Sequence, residues 1–172
     1  MLAFFTLSAD ARGTADRLLT VLAERLAQDH AVTGAVQVNA DRGADCACDM
    51  DLTILGADLP PIRISQSLGS GSTGCRLLPE GLEQAAAEVE ARLAGADLVI
   101  LSKFAKQESF GRGFCSTIAA AIQAGVPVVL HVPAEYRTAF TDFAGDMAHE
   151  TAPEALEGWC RRVIAAHDTH DT

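Results

Sequence analysis

Short apolar runs alternate along the chain with longer segments in which leucine, valine and alanine recur three or four positions apart. The short runs end in polar residues or turns, which is typical of buried parallel strands. We expect such strands at residues 2–7, 33–38, 97–102 and 126–132. The longer segments have the spacing of amphipathic helices. We expect helices at about residues 15–28, 80–93, 112–124 and 153–166. This alternation predicts an α/β fold with three layers, in which helices cover a mostly parallel sheet.

The stretch from 39 to 79 breaks the pattern. It contains a Pro60-Pro61 turn and short alternating segments, which favour a small β-rich insert of antiparallel strands over helix. We find no linker, so residues 1–172 are expected to form a single domain. The polar tail 167–172 is expected to fray.

Composition narrows the possible partners. The net charge is −10, with 23 acidic against 13 basic residues, which argues against binding to nucleic acid or an anionic membrane. No apolar run approaches the ~18 residues of a membrane span, and no basic residue precedes the first apolar run. We therefore expect a cytoplasmic protein.

The five cysteines are an odd number, which does not indicate a disulfide framework. Cys46 and Cys48, with the more distant Cys75, are weak candidates for a soft metal site or a redox disulfide. Buried, inert thiols are the alternative, and we expect no other metal site.

The end of the predicted strand 97–102 carries the most informative chemistry. In open α/β sheets the ligand binds just beyond the carboxyl ends of the strands. Here Ser102 and Lys103 occupy that position, with Lys106 shortly after them and Arg112 at the start of the next predicted helix. These residues predict an anion site facing the start of the first helix. The alternative is a set of solvated charges paired with Glu108 and nearby acids.

A second candidate is the segment 59–79, which has no acidic residue. Its serines, threonine and glycines offer hydroxyl and backbone N–H donors that suit an oxyanion. The candidate anion ligands are Ser65, Gln66, Ser72, Thr73, Gly74 and Arg76, with Arg63 as a further cation. A plain β-hairpin tip explains the same composition.

Several motifs resemble known families. The order of elements over about residues 2–143 looks like the P-loop nucleoside-triphosphatase family first described from thermophiles. More closely, the chain is similar to an uncharacterised bacterial family often encoded near molybdate-transport genes. The residues that carry this second resemblance are Ile64–Gly69, Ser72–Leu77, Ser102–Glu108 and Gly111–Phe114.

The departures from the hydrolase resemblance affect the expected chemistry. A Walker A loop needs glycines, a lysine and a Mg²⁺-binding hydroxyl, but the matching window Ser8–Ala15 retains only Gly13. Thr14 replaces the lysine, and Ser102 and Lys103 stand where the resemblance implies acids. Ser8, Arg12, Gly13 and Thr14 remain candidates for binding through a degenerate loop. The alternative is a plain turn with Thr14 or Asp10 as a helix cap.

We therefore expect a non-hydrolysing protein that binds an oxyanion or a nucleotide, and the resemblance adds molybdate as a candidate ligand. One alternative is a nucleoside triphosphatase or another nucleotide-dependent enzyme with an atypical loop, which would need Mg²⁺. Another is a regulatory adaptor that binds a protein partner, and a homo-oligomer is also compatible with the sequence.

Overall fold

The structure is a computed structural model that describes residues 1–7, 13–40, 49–67 and 75–168. Its strands are β1 (Leu2–Phe5), β2 (Val32–Ala40), β3 (Asp49–Leu55), β4 (Ile62–Arg63), β5 (Ser65–Ser67), β6 (Cys75–Leu77), β7 (Leu98–Lys103), β8 (Val128–His131) and β9 (Ala148–Glu150). Its α-helices are α1 (Thr14–Leu26), α2 (Pro79–Glu90), α3 (Lys106–Ser109), α4 (Cys115–Gln123), α5 (Arg137–Ala144) and α6 (Leu156–Asp168).

Seven strands form one sheet in the order β4-β3-β2-β7-β8-β1-β9. The five strands from β2 to β9 in that order are parallel, whereas β3 and β4 extend the sheet antiparallel beyond β2. Strands β5 and β6 pair as a separate antiparallel hairpin. The predicted α/β class and the small β-rich insert are confirmed, and the arrangement is consistent with a P-loop nucleoside-triphosphatase-like fold.

Helices cover both faces of the sheet. Leu82 of α2, Ile118 of α4 and Phe140 of α5 belong to the apolar core on one face. Leu19 of α1 and Trp159 of α6 belong to the core on the other. The central strands β7 and β8 are apolar until their carboxyl ends, because both of their faces are covered.

Gly34 allows the close approach of β2 to β7. Its φ is 139°, and a Cβ at this position would lie 1.9 Å from the carbonyl oxygen of Ile100. A side chain would therefore push β2 away from β7, the strand whose carboxyl end carries Ser102 and Lys103.

Several boundaries differ from the sequence predictions. The helix expected from residue 112 begins at Cys115, because Gly111 and Gly113 adopt positive φ angles and interrupt it. Strand β9 was not predicted. Helix α6 continues through Asp168, past the expected start of the frayed tail, and residues 169–172 lie outside the described part. Within the described residues, no helix is long and apolar enough to cross a membrane.

Candidate functional site

The chain reverses its direction of winding between β1 and β8, which are neighbours in the sheet. After β1 the chain passes through α1, on one face, and continues to β2. After β8 it passes through α5, on the opposite face, and continues to β9 on the other side of β1. Ligands of open α/β sheets bind in the crevice that such a reversal creates.

A cleft of about 290 Å³ lies at this position, and we call it the switch-point cleft. Its described lining residues are Ala15, Asp16, Lys103, Ala105, His131, Pro133, Glu135 and Tyr136. The first turn of α1 and the carboxyl ends of β7 and β8 therefore meet at one opening. Lys103 is half-buried there and, with Lys106, makes up the chain's entire complement of lysine.

Strand pairing explains how Lys103 reaches this cleft. Leu101 is paired with Leu130, and after a register irregularity Lys103 is paired with His131. The backbone N–H of Phe104 then donates to the carbonyl of His131 at 2.9 Å. The two strand ends therefore present a lysine and a buried histidine side by side at the cleft.

The start of α1 differs from the expectation of a side-chain cap. Gly13 is the N-cap residue, with φ 79°, and no side chain of a described residue caps the helix. Thr14 is already helical, so the interpretation of Thr14 as the cap is wrong. Gly13 and Thr14 do not line the switch-point cleft among the described residues. Ser8, Asp10 and Arg12 lie outside the described part of the chain.

Ser102 and Ser65, predicted as anion ligands, accept structural hydrogen bonds. Pairing of β2 with β7 ends at Ala35, and the hydroxyl oxygen of Ser102 accepts the N–H of Gln37 just beyond it. Ser65 Oγ accepts the N–H of Met50 at 2.7 Å. Both serines are 2% exposed. Buried backbone donors beyond a strand ladder need an acceptor, and these hydroxyls supply it. Their role as anion ligands stays a prediction, because each hydroxyl still has a proton to donate.

A second cavity of about 160 Å³ adjoins the switch-point cleft, and we call it the apolar chamber. Its apolar walls are Met50, Leu52, Ile64, Leu77, Leu82 and Phe114. Its polar rim consists of Gln37, Ser102, Lys103, Lys106, Gln107 and Glu108. Lys103 and Ala105 line both cavities, so the two spaces are neighbours at the segment that follows β7.

Glu108 holds that segment in place. Its carboxylate accepts the N–H of Ala105 at 3.0 Å and the N–H of Phe114 at 3.2 Å. Burial raises the pKa of Glu108, while these hydrogen bonds and the charge of Lys103 act in the opposite direction. A Cβ on Gly113 would lie 2.3 Å from the Glu108 carboxylate, so a side chain there would disturb this arrangement.

The other predicted site residues are dispersed. Lys106 is exposed at the rim of the apolar chamber, whereas the turn after α3 leaves Arg112 exposed and outside both cavities. Gln66 and Arg76 are cross-strand neighbours in the β5–β6 hairpin and line neither cavity. Arg63 forms an ion pair with Asp51, and its contribution to an anion cradle stays a prediction.

Some predicted residues fall where the structure gives no side-chain information. Ser72, Thr73, Gly74, Cys46 and Cys48 lie outside the described residues, and only the backbone of Cys75 is described. Within the described residues, no group of three or more histidine, cysteine and acidic side chains has the geometry of a metal site.

His131, Asp16 and Tyr136 line the cleft but were not predicted as site residues. His131 is the last residue of β8, as Lys103 is of β7, but apolar Val132 follows it in the sequence. The end of β8 was therefore marked less clearly in the sequence than the end of β7. Glu108 was expected only as an ion-pair partner, although an acid just before two closely spaced glycines suits a buried carboxylate in a tight turn.

Comparison with known proteins gives two matches. The profile of a family described as "Protein of unknown function (DUF2478)" matches residues 4–159. The chain is also 35% identical over 168 residues to the molybdenum import ATP-binding protein ModC 2 of Bradyrhizobium diazoefficiens. That alignment covers 91% of this chain but 18% of the relative, so the chain spans less than a fifth of that protein. No solved structure matches the chain.

Proposed function

We propose that this chain, which belongs to the DUF2478 family of proteins of unknown function, binds a small oxyanion in the switch-point cleft, either alone or as the phosphate of a nucleotide. The observation that carries the proposal is the position of Lys103, half-buried where the winding of the sheet reverses. A lysine indicates an anion site only when it also lies in a crevice, because exposed lysines elsewhere on a protein are ordinarily only solvated.

Electrostatics make Lys103 the natural anchor for an anion. It is the only lysine or arginine among the described residues that line the cleft. The first turn of α1 faces the same space, and the partial positive charge of a helix N-terminus favours anions. Asp16 and Glu135 also line the cleft, so a ligand with hydroxyl donors beside its negative charge suits the lining best.

The named relative supports molybdate and nucleotides as candidate ligands. The name of that relative joins molybdenum import with ATP binding, and the similarity extends over most of this chain. The match covers only 18% of that protein, so an activity of this chain like that of the whole relative is a proposal.

We further propose binding without hydrolysis. Thr14 and Ala15 stand where the Walker A pattern needs a lysine and a Mg²⁺-binding hydroxyl. Lys103 stands where the hydrolase resemblance implies an acid.

Nucleotide hydrolysis is the second candidate. It is favoured by the carboxylates of Asp16 and Glu135, which line the same cleft as Lys103 and Tyr136. Acids placed beside a phosphate site are the usual ligands for the Mg²⁺ that phosphoryl transfer requires.

Thermal unfolding of the reduced protein tests both candidates. The ligands are molybdate, tungstate, sulfate, phosphate, ATP and GTP, each with and without Mg²⁺. A ligand present at a hundred times its dissociation constant adds about 2.7 kcal/mol of stability, which raises Tm by about 5–10 °C. We expect such a rise for at least one oxyanion or nucleotide, without release of phosphate.

Two lysine variants locate the binding. We expect Lys103→Gln to abolish the rise in Tm and Lys106→Gln, the matched control, to retain most of it. Equal loss in both variants, or loss only in Lys106→Gln, would refute the assignment to the switch-point cleft. Stabilisation by Mg²⁺-nucleotide alone, with phosphate release, would instead establish the second candidate. No stabilisation by any ligand would overturn both.

A further inference from the structure

We infer that the apolar chamber is a second subsite, which accepts a ring system covalently attached to the anion bound in the switch-point cleft. The inference rests on the proposed function and narrows the range of ligands that it allows. The ligand class becomes an aromatic phosphate or a comparable aromatic oxyanion, instead of an inorganic anion alone.

The shared lining of the two cavities is the first argument. Lys103 and Ala105 line both, so an anion held by Lys103 lies next to the apolar chamber. A ligand with its charge next to a compact apolar group can occupy both spaces at once. A bare tetrahedral oxyanion has no use for the second space.

The walls of the chamber are the second argument. Leu52, Ile64, Leu82 and Phe114 are each less than a tenth exposed, and Met50 and Leu77 are half-buried beside them. Strand β3 and the β4–β6 part of the insert contribute four of these six walls. The insert therefore encloses an apolar space directly beside a cationic strand end, which is the lining expected for a small-molecule subsite.

The volume limits what enters. About 160 Å³ is well below the ~300–1,000 Å³ of pockets that enclose whole drug-sized ligands. It suits one ring system, with the remainder of the ligand outside. An extended acyl chain does not match this volume.

The rim favours a ring with polar edges. Gln37 is 5% exposed and lines the chamber, and its amide group combines donors with an acceptor. Lys106 adds a positive charge at the opening. A nucleobase has such a polar edge whereas a phenyl ring does not. Phenyl phosphate therefore tests the apolar chamber alone, and a nucleotide tests the chamber together with its polar rim.

Phosphorus NMR titration of the reduced chain, residues 1–172, measures binding of all probes by the same nucleus. The probes are inorganic phosphate, ethyl phosphate, phenyl phosphate and GMP. We expect phosphate and ethyl phosphate to bind with similar affinity and phenyl phosphate to bind at least tenfold more tightly. GMP binding more tightly than phenyl phosphate would assign a nucleobase to the chamber, and weaker binding would assign a simple aromatic group.

A variant that fills the chamber supplies the specific control. Leu77→Trp should reduce phenyl phosphate to the affinity of ethyl phosphate while leaving phosphate unchanged. Leu18, half-buried on α1 in the groove between α1 and α6, provides the matched control Leu18→Trp, which should leave all affinities unchanged. If Leu77→Trp does not fold, Leu77→Ala enlarges the chamber and should favour 1-naphthyl phosphate over phenyl phosphate.

The outcomes separate this inference from the proposed function. If phosphate binds through Lys103 but phenyl phosphate binds no better than ethyl phosphate, the chamber is not a subsite and the proposed function stands. An equal loss of phosphate and phenyl phosphate in Leu77→Trp also refutes the subsite. If no probe binds, both fail.

Discussion

Glu108 shows how a single side chain fixes the geometry of the loop beside the site. It is 5% exposed, and each of its two carboxylate oxygens accepts a backbone N–H, one from Ala105 and one from Phe114. Burial disfavours the charged form and raises its pKa, and the nearby charge of Lys103 partly offsets this. The residue that orders the loop is therefore also one whose ionisation the fold opposes.

This conflict predicts a pH dependence of stability. Glu108 has a higher pKa in the folded than in the unfolded chain. At a pH between these two pKa values, folding is therefore accompanied by uptake of a proton. The stability that Glu108 contributes is therefore lost as pH rises from about 4.5 through its raised pKa. We expect the free energy of unfolding of the wild type, relative to Glu108→Gln, to fall as pH rises towards 7.

Urea unfolding of both proteins at a series of pH values measures this difference. Glu150→Gln is the opposite-sign control, because hydrogen bonding to Arg137 lowers the pKa of Glu150. Its contribution is present above about pH 4.5 and is lost as pH falls. A Glu108 difference that stays constant with pH, while the Glu150 difference changes, would contradict the prediction.

At the scale of one residue, the sequence reveals charge and position but not burial. Lys103 was predictable because it follows an apolar run at the end of a parallel strand. Glu108 enters the sequence analysis only as a possible ion-pair partner, because acids are usually exposed. Only the fold shows that two backbone N–H groups converge on it and make its burial tolerable.

Secondary-structure elements in this protein are joined by hydroxyl groups where the strand ladders end. Ser102 connects the end of β7 to the continuation of β2, and Ser65 connects β5 to β3. The Ser65 bond therefore ties the separate β5–β6 hairpin to the seven-stranded sheet.

Removing one such hydroxyl should destabilise the fold without removing the anion site. We expect Ser102→Ala to lower the free energy of unfolding by about 1–3 kcal/mol, because the N–H of Gln37 loses its acceptor. Ser109→Ala is the control, since its hydroxyl bonds at an exposed position to Lys106, and its effect should stay within about 0.5 kcal/mol. Chemical denaturation compares the variants.

The same variant distinguishes structure from binding. If Ser102→Ala is as stable as the wild type but no longer binds phosphate, then Ser102 is a ligand after all. Loss of stability with phosphate affinity retained supports the structural role.

Elements with strong periodicity were predictable and short ones were not. Strands β7 and β8 are apolar runs buried between two helical layers, and the sequence identifies them directly. Strand β9 is three residues long and largely exposed, so no apolar pattern marks it. The break between α3 and α4 depends on left-handed backbone at Gly111 and Gly113, which composition does not specify.

Over the whole molecule the dominant property is negative charge. The chain carries a net charge of −10, and its described ion pairs lie on partly or fully exposed side chains. Such pairs contribute little to stability, so they do not cancel the general repulsion among acids. Lys103 is thus a local positive charge on a molecule of net negative charge. The net charge repels polyanions, whereas the local charge can still bind a small anion.

Salt should therefore stabilise this protein in a pH-dependent way. Raising NaCl from about 10 mM to about 100 mM shortens the screening length from about 30 Å to about 10 Å, which weakens repulsion across the molecule. We expect Tm to rise with NaCl at pH 7 and to change much less near pH 5, close to the isoelectric point of about 4.8. Thermal unfolding without ligand at the two pH values measures both effects. An equal rise in Tm at both pH values would mean that salt acts by strengthening apolar burial and not by screening charge. The electrostatic argument against nucleic-acid binding would then no longer hold.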